Sequence, residues 1–271
     1  MIKILFSDLD GTLLFSENKM TSYVSEDNIN AINRFKKDRI FAIATSRSYS
    51  FLSKLMDINK PFDTVAYNGN LVFCDNHIID KVSFSEDELY ELINILEAEN
   101  KNNLISFYNE KNDLIFYDFS YPKAQGFIKN ERNYIQDFHL ILKDPILEYI
   151  KNYLDICVIL CVYENKEKAD IVRDKVRKMK SIQIVDTSER TFSITKNNRD
   201  KITGIQKIAD YYGIKQNEIA VIGDSVNDLT MFNHYYDFSF CMSHAKNEIK
   251  RSAKFVVTSV SDCINKILNE D

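Results

Sequence analysis

No stretch of the 271-residue chain reaches the about 20 consecutive apolar residues that a membrane-spanning helix requires. The apolar opening is broken by Lys3 and runs into Asp8 and Asp10, so neither a secretory leader nor a membrane anchor is expected there. Excess positive charge is missing as well. The 35 Lys and Arg residues are outnumbered by 40 Asp and Glu, a formal net charge of -5, which leaves no overall basic footprint for nucleic acid or anionic lipid. There is no C-x-x-C pair and no cysteine beside a histidine at zinc-finger spacing. The five cysteines, Cys74, Cys157, Cys161, Cys241 and Cys263, are an odd number that fits reduced thiols, and Cys157 and Cys161 in "CVILCVY" read as small apolar residues of a buried strand. His77, His139, His234 and His244 show no ligand spacing and read as surface or packing residues. Low-complexity tracts and repeats of solenoid period are absent too. What remains is a soluble, cytoplasmic globular protein that binds neither nucleic acid nor membrane, a monomer by default with oligomers left open.

A length of 271 residues allows one large or two ordinary domains, and 45% hydrophobic residues allow a sizeable core. The first segment alternates strand and helix. "IKILFSDL" reads as a buried strand, "SEDNINAINRFKKD" as a helix opened by Ser25 with Ile29, Ile32 and Phe35 on its apolar face, and "IFAIAT" as the next strand. A helix over 48–56, the strand "FDTVAYN" and the hairpin-like pair "NLVFCD" and "HIIDKV" follow. The rhythm then changes. The helix "SEDELYELINILEAEN", strands "NLISFYN", "DLIFYDF" and "FHLILK", helix "PILEYIKNYL", strand "DICVILCVY", helix "KEKADIVRDKVRKMK" and strands "SIQIVD" and "TFSITK" mix hairpins with helices, as an α+β insert does. Strand and helix alternate again from Asp200 to the end, through "EIAVIGD", "FSFCM" and "KFVVT". Parallel strands need crossovers, and right-handed crossovers lay helices over both faces of a sheet. The expected fold class is therefore α/β: a doubly wound parallel-sheet core, 1–82 and 193–271, with an inserted α+β domain at 83–192.

In open α/β sheets ligands bind beyond the carboxyl ends of the parallel strands, so residues distant in sequence converge there. Four such places carry reactive side chains: Asp8 and Asp10 in "DLDGTLL", Thr45, Ser46 and Arg47 in "ATSR", Lys201 at the helix start "RDKITG", and Asp224, Asn227 and Asp228 in "GDSVND". Asn68 and Gly69 close a further strand in "AYNGNLVF". Singly, each has a plainer reading. Paired aspartates are common on solvated surfaces, Thr45 suits a strand end, Asp200 an N-cap, Lys201 solvent, Asp228 the first turn of a helix, and Arg47 a surface ion pair. The weight lies in finding all four in this order.

That order resembles the haloacid dehalogenase-like superfamily, whose members carry D-x-D-G-T, a Ser or Thr, a Lys and an acidic G-D-x-x-N-D motif. The placement and α+β make-up of the insert, with "AYNGNLVF" before it, resemble the Cof-type phosphatases, subclass IIB. The resemblance implies a Rossmann-like core and a mobile cap hinged near 82–83 and 193–196. It also implies a magnesium-dependent phosphatase acting on small phosphorylated metabolites, either sugar phosphates or phosphorylated cofactors and nucleotides. Asp8 would attack phosphorus and form an aspartyl-phosphate, Asp10 would protonate the leaving alcohol and then activate water, and Lys201 would stand between Asp8 and the phosphate. Mg²⁺, which favours oxygen ligands, would be held by Asp8, Asp224 and the main-chain carbonyl of Asp10. Thr45 would bind the phosphoryl group, with Ser46, Arg47, Asn68, Gly69 and Asn227 contributing to phosphate or substrate binding and Asp228 in support. Ion-pumping relatives carry Thr at the second position, so Asp10 favours a hydrolase.

The chain departs from the family pattern in three places. Thr-Gly-Arg becomes Thr45-Ser46-Arg47, Met-Gly-Asn-Ala becomes Met242-Ser243-His244-Ala245, and Asp-Gly-Val is missing from "SVSDCINKI". These bear on substrate contacts and remove no catalytic group. Two other readings use the same scaffold: a phosphomutase that returns the phosphoryl group to a sugar, and a non-catalytic regulator that binds metal or phosphate. The choice of metabolite falls to the loops of the insert.

Overall fold

The computed structural model describes residues 1–18, 21–47, 62–98, 103–109, 114–118, 138–140 and 155–270. The chain forms two compact units, Met1–Asp80 with Asp200–Asp271, and Lys81–Arg199. The first unit opens with β1 (Ile4–Ser7), all four of whose residues are buried, as a strand covered on both faces requires. A short antiparallel hairpin, β2 (Phe15–Asn18) and β3 (Thr21–Tyr23), follows, which the polar sequence "FSENKMTSY" did not announce. Helix α1 (Glu26–Phe35) is capped by Ser25, whose hydroxyl accepts the Asn28 amide at 3.3 Å, and carries Glu26 and Asp27 in its first turn. Its buried residues are Asn28, Ala31, Ile32 and Phe35, so Ile29, expected on that face, is instead 41% exposed. Strands β4 (Ile40–Ala44), β5 (Thr64–Ala66), β6 (Leu71–Cys74) and β7 (His77–Lys81) complete this segment. The helix expected over 48–56 lies outside the described residues.

The second unit holds α2 (Glu86–Ala98), β8 (Asn103–Asn109), β9 (Leu114–Asp118), β10 (Phe138–Leu140), β11 (Ile156–Tyr163), α3 (Lys166–Val176), β12 (Ile182–Ser188) and β13 (Thr191–Lys196). Its six strands run in the order β10-β9-β8-β11-β13-β12, antiparallel except for β9 beside β10. One sheet face packs Phe107, Ile159, Cys161, Phe192 and Ile194 against Leu92 and Ile93 of α2 and Val172 and Val176 of α3. The expected return to the core at 193 falls inside β13, which pairs with both β11 and β12; the boundary lies after Arg199. The helix expected in "PILEYIKNYL" lies outside the described residues.

The chain then returns through α4 (Lys201–Tyr212), β14 (Ile219–Gly223), α5 (Leu229–His234), β15 (Ser239–Met242), α6 (Asn247–Lys250), β16 (Phe255–Val257) and α7 (Val260–Glu270). The helix expected from Asp228 begins one residue later, because Val226–Asp228 forms a 3-10 turn. The eight-stranded sheet has the order β16-β15-β14-β1-β4-β5-β6-β7, parallel from β16 to β5 with β6 antiparallel to β5. From β1 the chain steps outward to β4 and β5, and on its return it steps the other way from β14. The switch point therefore lies between β1 and β14, where ligands of such sheets bind. All five cysteines are buried, and none is in a disulfide. Among the described residues no helix is long and apolar enough to cross a membrane.

Candidate active site

Strands β1 and β14 run in parallel register, with Ser7 opposite Ile222, so the residues just past them meet. The Asp8 amide donates to the Ile222 carbonyl at 2.9 Å and its side chain is buried. The chain must then turn away sharply. Gly11 does this with φ 81°, and a Cβ there would stand 2.6 Å from Asp224 Oδ2, so glycine serves both the turn and the close approach of the acid. Thr12, which is not among the expected site residues, is fully buried, and its hydroxyl donates to Asp224 Oδ1 at 3.2 Å.

Lys201 reaches the same place from α4. Asp200 caps this helix, its side chain accepting the Thr203 amide at 2.9 Å while Thr203 Oγ1 accepts the Asp200 amide at 3.1 Å. Lys201 is 1% exposed, and its ammonium donates to Asp8 Oδ1 at 2.5 Å and Asp228 Oδ1 at 2.6 Å. The other oxygen of Asp228 accepts the amides of Asp224 and Ser225, each at 3.0 Å. Lys201 is therefore no solvated lysine, and Asp228 is buried with both carboxylate oxygens hydrogen-bonded. Carboxylate oxygens of Asp8, Asp224 and Asp228 lie within 4.8 Å of one another.

The remaining predicted residues divide. Asp10 is exposed, and its carboxylate is gripped in a two-pronged pair by Arg47, Nε to Oδ2 at 2.6 Å and Nη2 to Oδ1 at 2.7 Å. Its side chain is therefore outside the carboxylate cluster, while the expected metal contact, its main-chain carbonyl, does not depend on that pairing. Thr45 is buried, with Oγ1 accepting the Arg47 amide at 3.1 Å, and Ser46 is exposed. Asn68 and Gly69 sit in a 3-10 turn, Tyr67–Gly69, joined to the Thr45 loop by amide bonds from Tyr67 to Arg47 O at 3.1 Å and from Asn68 to Thr45 O at 3.0 Å. Asn227 is exposed and accepts the Ser225 hydroxyl. His244, set aside for want of ligand spacing, brings Nε2 to 3.7 Å from Asp224 Oδ2. It follows β15, the strand next to β14, and neighbouring strand ends leave no spacing signature.

A profile of the haloacid dehalogenase-like hydrolases matches residues 5–268. The chain belongs to this family. A curated relative in Bacillus subtilis, 5-amino-6-(5-phospho-D-ribitylamino)uracil phosphatase YitU, is 25% identical over 284 residues, covering 97% of this chain and 95% of its own. Among solved structures, a haloacid dehalogenase-like hydrolase from Bacteroides thetaiotaomicron superposes with a TM-score of 0.80 at 18% identity, covering 98% of this chain and 100% of its own. The subclass IIB sugar phosphatase BT4131 gives 0.76 at 22% identity, covering 99% and 98%. The shared fold is that of the Cof-type, subclass IIB members.

In this haloacid dehalogenase-like hydrolase the cluster carries three carboxylates against one ammonium. Burial pushes the Asp8 carboxyl up to about 7, with Lys201 pulling it down and Asp228 and Asp224 adding to the rise. Burial and the neighbouring Asp228 raise Asp224 as well. Burial also disfavours the Lys201 ammonium, but Asp228 and Asp8 outweigh it and hold the amine above the ordinary lysine range. Raised carboxyls in a nest of hard oxygen donors fit a divalent cation. Among the described residues Asp8 Oδ2 and Asp224 Oδ2 receive no hydrogen bond, whereas both oxygens of Asp228 are engaged, so Asp8 and Asp224 suit direct ligation with Asp228 behind them.

Proposed function

We propose that this hydrolase is a magnesium-dependent phosphatase of small phosphorylated metabolites and works through an aspartyl-phosphate on Asp8. The observation that carries the reading is the Lys201 ammonium bound to both Asp8 and Asp228 beside Asp224, buried at the switch point of the sheet. In the first step Asp8 attacks phosphorus as the bond to the leaving oxygen breaks, and Asp10 gives that oxygen a proton. In the second, water attacks the aspartyl-phosphate, Asp10 takes its proton, and Asp8 leaves with inorganic phosphate formed. Lys201 offsets charge beside the nucleophile and Thr45 holds the phosphoryl oxygens; Arg47, which engages both Asp10 oxygens, must give up one of them for Asp10 to carry the proton it donates. Asp8, Asp224 and the Asp10 carbonyl would hold Mg²⁺, which supplies the charge that lets an anionic nucleophile approach a phosphate dianion.

The substrate class, a sugar phosphate or a phosphorylated cofactor or nucleotide, is supported by relatives named for ribitylaminouracil phosphate and sugar phosphates. On this reading Met1–Asp80 and Asp200–Asp271 are the catalytic core and Lys81–Arg199 its cap, in a protein of the cytoplasm. The test is phosphate release from para-nitrophenyl phosphate and a panel of ribitylaminouracil, hexose, pyridoxal and flavin phosphates, with Mg²⁺ or with EDTA. Release is expected with Mg²⁺ alone, and Asp8→Asn should lower it by roughly 10³-fold or more. Undiminished release by Asp8→Asn would overturn the mechanism.

A further inference from the structure

The turn after β5 has a conformation that its own residues do not favour. Tyr67, Asn68 and Gly69 have φ of 49°, 52° and 89° in succession, so a bulky residue and an asparagine share the left-handed region with the glycine. Such a run persists only where its surroundings impose it. One side is the pair of amide bonds to the Thr45 loop already described. The other is the start of α4: a Cβ on Gly69 would run into the main-chain oxygen of Asp200 and stand 2.9 Å from Thr203 Oγ1. Those are the atoms of the capping box, since Thr203 Oγ1 both accepts from the Asp200 amide and donates to the Asp200 carbonyl at 2.7 Å.

We propose that Gly69, backed by the Asp200–Thr203 capping box, is a positioning seat for Lys201. The helix start rests on the bare face of Gly69, and this fixes how far the Lys201 ammonium reaches between Asp8 and Asp228. The same turn carries the Thr45 loop, so one strained segment sets the phosphate-binding hydroxyl and the buried cation together. Lys201 is the next residue after the carbonyl that a Cβ would displace, so the displacement passes to it directly. Misplacing a reacting group by about 1 Å costs on the order of 10²-fold in rate.

The test compares Gly69→Ala, Thr203→Val and Gly213→Ala. Gly213 ends the same helix with φ 64° and has nothing within 4 Å of an added Cβ, so its substitution brings left-handed strain without a clash at the site. Gly69→Ala should lower kcat by about 10- to 100-fold with KM little changed, and Thr203→Val should move kcat the same way. Gly213→Ala should leave kcat unchanged while lowering thermal stability. Competitive acylation with acetic anhydride, read by mass spectrometry, adds an arm independent of turnover: Lys201 should become more reactive in Gly69→Ala and Thr203→Val, relative to the exposed Lys207. Unchanged kcat and Lys201 reactivity in both seat variants, or an equal loss in Gly213→Ala, would overturn the proposal. Should Gly69→Ala fail to fold, Thr203→Val decides it. The kinetic arm rests on the phosphatase reading; if the unaltered chain releases no phosphate from any compound, that reading falls and the acylation arm alone judges the seat.

Discussion

Asp228 has both carboxylate oxygens occupied, by the Lys201 ammonium and by two main-chain amides, whereas Asp8 has one oxygen bonded. The two acids should therefore respond differently to substitution. Asp228→Asn removes a charge that a fully buried ammonium depends on, and should cost about 3–5 kcal/mol in urea unfolding, together with most of the phosphate release. A loss under about 1 kcal/mol would show that Lys201 is neutralised some other way. Asp8 has a pH signature instead. Its folded pKa of about 7 stands above the ordinary 3.8, so between those values the folded chain keeps a proton that the unfolded chain releases. The stability that Asp8 contributes is complete below its unfolded pKa and is lost as pH rises through about 7, and Asp224, also raised, adds in the same direction. A divalent cation favours the anions and reverses the trend. In thermal melts, Mg²⁺ should raise Tm more at pH 8 than at pH 5.5 relative to EDTA; an equal rise at both would contradict a cation at these carboxylates.

At the scale of elements, what was legible in the sequence was whatever burial on both faces writes into a strand. "ILF" and "IAVIG" are continuous runs without a charged or polar side chain that lie in β1 and β14, and the acids that follow those strands stand at the switch point as the strand-end rule requires. Asp200 was legible as a cap, but the ion pair its neighbour makes was not: it depends on where α4 lies against β1, with the paired Asp8 193 residues away in sequence. Arg47 on Asp10, Thr12 on Asp224 and His244 beside Asp224 were hidden for the same reason, since strand register and loop path set those pairs and local pattern does not. The hairpin β2–β3 escaped because neither strand alternates in polarity. The insert contains a comparable tertiary device. Arg173 on α3 is 4% exposed, stacks over the Phe192 ring of β13 at 4.7 Å, and donates to Asp170, Asp186 and the carbonyls of Ser188 and Glu189. It pins the β12–β13 turn to the helix. Arg173→Ala should cost about 2–4 kcal/mol, and Arg173→Lys should recover little of it because a lysine cannot span those acceptors in one plane. Hydrogen exchange should accelerate in β12 and β13; full rescue by lysine would reduce the contact to simple charge pairing.

At the scale of the whole molecule, the chain builds one of its two units from separated segments, and each unit has its own apolar cluster. The first boundary was readable to within a few residues. The second was not, because "TFSITK" reads as a strand in either unit and only its pairing with β11 and β12 assigns it to the insert. The division also bears on ligand linkage. The three carboxylates belong to the unit of β1 and β14, so a cation bound there stabilises whichever cooperative region contains those strands. At a free Mg²⁺ concentration 100 times Kd the gain is about 2.7 kcal/mol, a factor of about 100 in the opening equilibrium. Hydrogen exchange from β1 and β14 should slow by that factor while exchange from β11 and β13 stays as it was, if the units open independently. Equal slowing in both sheets would mean that they unfold as one body, and the insert would then share in the stability conferred at Asp8 and Asp224. Slowing in neither would remove the cation from these carboxylates, and with it the charge that an aspartyl nucleophile needs when it meets a phosphate dianion.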